Sequence, residues 1–91
     1  MPTLAEQWIE EGREQGLEQG LEQGIRLGMR QAMREGIREV LDARFGVVPP
    51  AIAAALETID NLEQLRQLQR QVATVETLDA FVRVLAAPDG A

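Results

Sequence analysis

From Leu17 to Phe45 a large apolar residue recurs at every fourth position, as Leu17, Leu21, Ile25, Met29, Met33, Ile37, Leu41 and Phe45, with small or polar residues between them. A half-buried strand would alternate with period two, whereas a spacing of four keeps successive apolar side chains on one ridge of an α-helix. The pattern predicts a single helix over about Thr3–Phe45, about 64 Å long at its rise per residue. Such a rod is too long for a compact monomer of this chain length, whose radius of gyration would be about 12 Å.

Phe45-Gly46-Val47-Val48-Pro49-Pro50 ends that helix. Gly46 suits the left-handed position past a helix end, and the two prolines cannot continue a helix but suit the start of the next. A short apolar helix is expected from about Pro50 to Thr58, with Ile52, Ala55, Leu56 and Ile59 on one side. Asp60, with Glu63 three residues on, predicts the cap of a further helix carrying Leu62, Leu65, Leu68 and Val72. Thr77 predicts the cap of a last helix with Leu78, Phe81, Val82 and Leu85 on its apolar face, before a frayed tail at 88–91. Three short apolar faces must be buried on one another and on Ile37, Val40, Leu41 and Phe45 of the long helix. The fold class is therefore all-α: a long helix over 1–45 and a bundle of three short helices over 46–87, assembled as an oligomer.

The remaining ridges of the long helix are as regular as the apolar one. One is small: Gly12, Gly16, Gly20, Gly24, Gly28, Ala32 and Gly36. Six glycines at about 1 kcal/mol each relative to Ala make a poor helix in isolation, so something outside it must supply the stability. Small residues four apart let two backbones approach closely, and such ridges interdigitate at roughly −50°. Another ridge is charged, reading Glu10, Glu14, Glu18, Glu22 and then Arg26, Arg30, Arg34, Arg38. Within one helix this order stacks like charges at i,i+4, each pair costing roughly 0.2–0.5 kcal/mol. A second copy running antiparallel about Gly24 sets Glu22 against Arg26, Glu18 against Arg30, Glu14 against Arg34 and Glu10 against Arg38. A parallel copy would set acid on acid.

The ridge drifts roughly 40° per repeat around the axis, so a straight antiparallel pair satisfies only the inner charge pairs. Using the outer pairs requires right-handed wrapping or further chains. The predicted self-association surface is thus Gly16, Gly20, Gly24 and Gly28 with Leu17, Leu21, Ile25 and Met29, flanked by Glu14, Glu18, Glu22, Arg26, Arg30 and Arg34. Two other arrangements fit the repeat less well: a charge-rich irregular tether, and an intrachain hairpin turning near Gly24, where no Pro or Asn turn signal stands.

Composition narrows the function. The 91 residues give room for one small domain, and a chain this short buries a modest share of its surface, which oligomerisation remedies. Cysteine, histidine, lysine, serine and tyrosine are all absent, removing most nucleophiles and general bases that act near neutral pH and most soft metal ligands. An enzyme is not expected, nor any cofactor or metal; carboxylates along one straight helix converge poorly on a single ion. The net charge of −6 argues against a duplex-binding domain held by phosphate neutralisation. Arg26–Arg38 does form a basic stripe of the kind that grips nucleic acid, but Glu35, Glu39 and Asp42 are interleaved with it. No apolar run of membrane-spanning length and no basic-then-apolar leader occurs, so a cytoplasmic protein of bacterial type is the expectation.

From Arg44 to Leu85 the order Arg-Phe-Gly, a Pro-rich helix start, an apolar helix, Asn61-Leu62-Glu63-Gln64-Leu65 and Thr77-Leu78-Asp79-Ala80-Phe81-Val82-Arg83-Val84-Leu85 resembles the C-terminal domain of unknown function of Rpn-type recombination-promoting nucleases, also called transposases. The Gly-x-x-x repeats before it are similar to the linker of the same proteins. Catalysis in that family belongs to an upstream PD-(D/E)XK nuclease domain, whose site needs clustered carboxylates for a divalent metal and a lysine. This chain has no lysine, so no catalytic residue carries over. The resemblance implies an assembly or regulatory module, with itself and full-length nuclease chains as partners. If Met1 is a native start, a separately made product could join nuclease chains through the shared helix and hold them inactive.

Overall fold

The computed structural model describes residues 1–86. Four helices follow in order: α1, Leu4–Phe45; α2, Pro50–Glu57; α3, Leu62–Thr74; and α4, Leu78–Ala86. No strand occurs among the described residues. The all-α class, with one long helix before three short ones, is as the apolar spacing predicts; the tail expected at 88–91 lies outside the described residues.

Thr3 opens α1 with a reciprocal cap. Its Oγ1 accepts from the Glu6 N–H at 3.2 Å, and its own N–H donates to Glu6 Oε2 at 3.3 Å, so two end donors that the helix cannot satisfy are both paired. From there α1 runs unbroken for 42 residues, through Gly24 and the other glycines. A hairpin at Gly24 is therefore excluded, and so is an irregular tether. At Gly46 φ is 75°, a conformation in which a Cβ would be strained, and its N–H closes the last turn on the Asp42 carbonyl at 2.8 Å. The molecule measures 66 × 26 × 20 Å with a radius of gyration of 19.6 Å, well above the compact value.

The core occupies the C-terminal third of α1. Ile37 and Leu41 of α1 meet Ile52 and Leu56 of α2, Ile59 just beyond it, Leu65, Leu68 and Val72 of α3, and Phe81 of α4. Met33, Val40 and Phe45 pack at its margin. Helix α3 lies against α1, and α4 rests on α3.

Two details of the bundle differ from the sequence reading. The cap of α3 is Asn61, not Asp60: Asn61 Oδ1 accepts from the N–H of Glu63 at 2.9 Å and of Gln64 at 3.2 Å, while the Asp60 carboxylate turns to Arg34. Asn61→Ala is expected to lower stability by about 1 kcal/mol, the usual worth of such a cap, read as a fall in the urea midpoint. An unchanged midpoint would deny the cap any energetic role. In α4, Val82 is exposed and Val84 packs on the core instead. Phe81 sets the buried direction, and Val82 stands roughly 100° round from it. Thr77 caps α4 as predicted, accepting from the Ala80 N–H at 3.1 Å.

Candidate functional site

Bundle and apolar ridge part company because α1 runs on beyond the bundle, and because four residues overshoot one helical turn the ridge also rotates. With Ile37 pointing into the core, Ile25 stands roughly 120° and Leu21 roughly 160° round the axis, nearly on the opposite side of α1. Leu17 is 64% exposed, Leu21 65%, Ile25 57% and Met29 41%, like every other residue of α1 up to Met29, whereas Ile37 and Leu41 are fully buried. Leu4, Trp8 and Ile9 are also exposed, further out on the same limb. About 25 residues of α1 thus project beyond the bundle with their apolar ridge uncovered.

The glycine ridge beside it is open. A Cβ built on Gly12, Gly16, Gly20, Gly24 or Gly28 would meet nothing within 4 Å. No packing inside the chain requires glycine at any of these positions, yet each costs about 1 kcal/mol of helix stability relative to Ala. Ridges of this kind, one large and one small side by side, form a surface that a second helix can approach closely.

The charge ridge divides. Glu10, Glu14, Glu18, Glu22 and Arg26 are exposed, and Arg30 is half-buried. Among the described residues none of these six has an opposite charge within ion-pair distance. Arg34 is buried, at 7% exposure. Its Nε donates to the Leu56 carbonyl at 3.0 Å, and its Nη2 donates to the Ile59 carbonyl at 2.7 Å and to Asp60 Oδ1 at 3.1 Å. Glu57 adds a looser contact, 3.8 Å from Nη1. Arg38 Nη2 donates to Glu57 Oε1 at 2.7 Å.

Physical reasons for this clasp are local. At the end of α2 the Leu56 carbonyl has the Ile59 N–H at 3.2 Å and a lone pair to spare, the Ile59 carbonyl lies past the helix, the dipole favours a cation there, and α2 has no basic residue of its own in that turn. A guanidinium presents several donors in a fixed fork, so one side chain can satisfy two carbonyls and a carboxylate. Arg44 does the same for α3: its Nη1 donates to the Val72 carbonyl at 2.7 Å, with the guanidinium 4.9 Å from the Phe45 ring centroid.

Arg34, counted above among the pairing residues, thus holds α2 against α1, and Arg38 supports it. Sequence reasoning assigned both to the outer rungs of a charge zipper and missed the clasp. The available signal was that α2 and α3 each end without a basic residue. Arg26 and Arg30 are left as the cations of this ridge with no acid within ion-pair distance among the described residues. The basic stripe is likewise halved as a phosphate-binding surface.

Elsewhere the chemistry is sparse. An apolar groove of about 500 Å³ runs between α2 and α4, lined by Pro49, Ile52, Ala55, Leu78, Val82 and Leu85. Among the described residues no group of three or more acidic, histidine or cysteine side chains is placed to hold a metal ion. No helix there is long and apolar enough to cross a membrane. No protein-family model, curated protein or solved structure matches the chain.

Proposed function

We propose that this chain is a non-enzymatic self-association module in which two copies of α1 pair antiparallel about Gly24. The observation that carries the reading is the uncovered apolar ridge of Leu17, Leu21, Ile25 and Met29 beside a glycine ridge that nothing in the chain occupies. Charge selects the orientation: an antiparallel pair brings Glu22 and Glu18 of each copy to Arg26 and Arg30 of the other. In a straight pair the drift of roughly 40° per repeat leaves the two inner rungs as the ones in reach. Because the ridge there points away from the bundle, two copies can meet without their bundles colliding.

In this reading the module belongs to proteins like the Rpn-type nucleases, works in the cytoplasm and joins nuclease chains that carry the same helix. A separately made copy would then act as an inhibitor, by occupying the helix that full-length chains use to assemble. Nucleic-acid binding through the Arg26–Arg38 stripe is the weaker reading, since Arg34 and Arg38 are already bound within the chain.

Light scattering over a range of concentrations tests the proposal. The wild type is expected to be a dimer or a tetramer, Glu18→Arg with Glu22→Arg to dissociate it, and the further changes Arg26→Glu and Arg30→Glu to restore it. A wild type that stays monomeric throughout would refute self-association, and full assembly of the first variant would refute the charge pairing.

A further inference from the structure

If α1 pairs as proposed, two acids per chain still lack partners, because Arg34 and Arg38 are held by α2. In the antiparallel register about Gly24, Glu14 and Glu10 of a second copy come level with positions 34 and 38. These straddle Gly36. The side chain that packs against Gly36 belongs to α3: Gln69 Nε2 lies 3.9 Å from where a Cβ of Gly36 would stand.

We infer that the bundle supplies the missing cations from α3, with Arg66 and Arg70 of one copy receiving Glu10 and Glu14 of the other. The geometry runs through the two flanks of α1. Relative to Ile37, Arg34 and Arg38 lie roughly 60° and 100° round on the side held by α2, whereas Gly36 lies roughly 100° round on the other side. Ile25 and Met29 stand on the Gly36 side, roughly 120° and 80° from Ile37, so a helix seated on the apolar ridge is led toward α3 and away from α2. The right-handed drift of a four-residue repeat carries it further that way as it nears the bundle.

On α3, Arg66 and Arg70 stand roughly 60° and 100° beyond Gln69, both on the side turned away from the buried Leu65. Both are exposed. Arg66 has only a 3.8 Å contact with Glu63 of its own helix, and Arg70 has no acidic side chain within ion-pair distance among the described residues. The incoming limb is strongly acidic, with six Glu and one Arg over residues 1–24. Charge, axial level and flank therefore agree, and the bundle becomes part of the dimer surface rather than a passive end-piece.

This inference rests on the antiparallel pairing, and sedimentation of the full chain separates the two. Arg66→Glu with Arg70→Glu is expected to weaken dimerisation roughly ten- to thirtyfold, with the far-ultraviolet circular dichroism unchanged. Adding Glu10→Arg and Glu14→Arg should recover most of the affinity. If the α3 variant associates like the wild type while Glu18→Arg, Glu22→Arg does not, the α3 contact is wrong and the pairing stands. Failure of the four-fold variant to recover would also overturn the contact. A wild type that never dimerises removes both.

Discussion

Gly20→Leu combined with Gly28→Leu is expected to abolish self-association while leaving the chain at least as helical as the wild type. The two effects have opposite sign because they arise in different places. Inside the chain a Cβ at either glycine meets nothing, so each leucine fits and gains roughly 0.5–1 kcal/mol of helix propensity over glycine. Between chains the same side chain fills the space that lets two backbones approach. At even 1 kcal/mol of overpacking per leucine, four leucines in a symmetric pair weaken it by about three orders of magnitude. Circular dichroism and light scattering on one sample read both quantities. A double variant that still dimerises at wild-type concentrations would show that the glycine ridge is not in the interface. Loss of helix together with dimer would mean that α1 is held by some other contact.

Arg34→Met is expected to destabilise the bundle by about 2–3 kcal/mol, the usual range for losing charge-assisted hydrogen bonds and leaving one carbonyl without a donor. Methionine keeps much of the side-chain volume, so the change isolates the guanidinium. The Ile59 carbonyl loses its donor, the Leu56 carbonyl keeps the Ile59 N–H at 3.2 Å, and the C-terminus of α2 loses its cation. The ion pairs contribute little to this figure, because the Asp60 side chain remains largely in solvent and the Glu57 carboxylate is 3.8 Å away. Arg34→Lys should recover only part of the loss, since one ammonium cannot reproduce the fork that reaches two carbonyls and a carboxylate. Urea unfolding at fixed protein concentration measures it, with amide exchange expected to rise first in α2. Equal midpoints for Arg34→Met and wild type would show that apolar contacts alone hold α2. Dimerisation should survive the change, because the clasp lies on the flank of α1 away from the proposed partner.

The local architecture was legible in the sequence because it depends on spacing and end chemistry. A four-residue apolar repeat has no reading as a strand, Gly46 with Pro49 and Pro50 can only end one helix and begin another, and Thr77 stands where a cap is needed. Isoleucine and leucine at 37 and 41 meet the bundle and Leu21 does not because Leu21 lies about 24 Å further up the axis, past the bundle's end. What the spacing could not show is which long side chains reach across. Arg34 occupies the same ridge, in the same four-residue repeat, as Arg26 and Arg30, and nothing in its sequence neighbourhood marks it as different. Only the placement of the end of α2 against α1 brings two carbonyls, Asp60 and Glu57 within reach of that one guanidinium. Helix, boundaries and apolar faces follow from interactions between residues a few positions apart, which the chain carries locally. Arg34 is paired across 22 to 26 positions, and such contacts exist only once the bundle has closed.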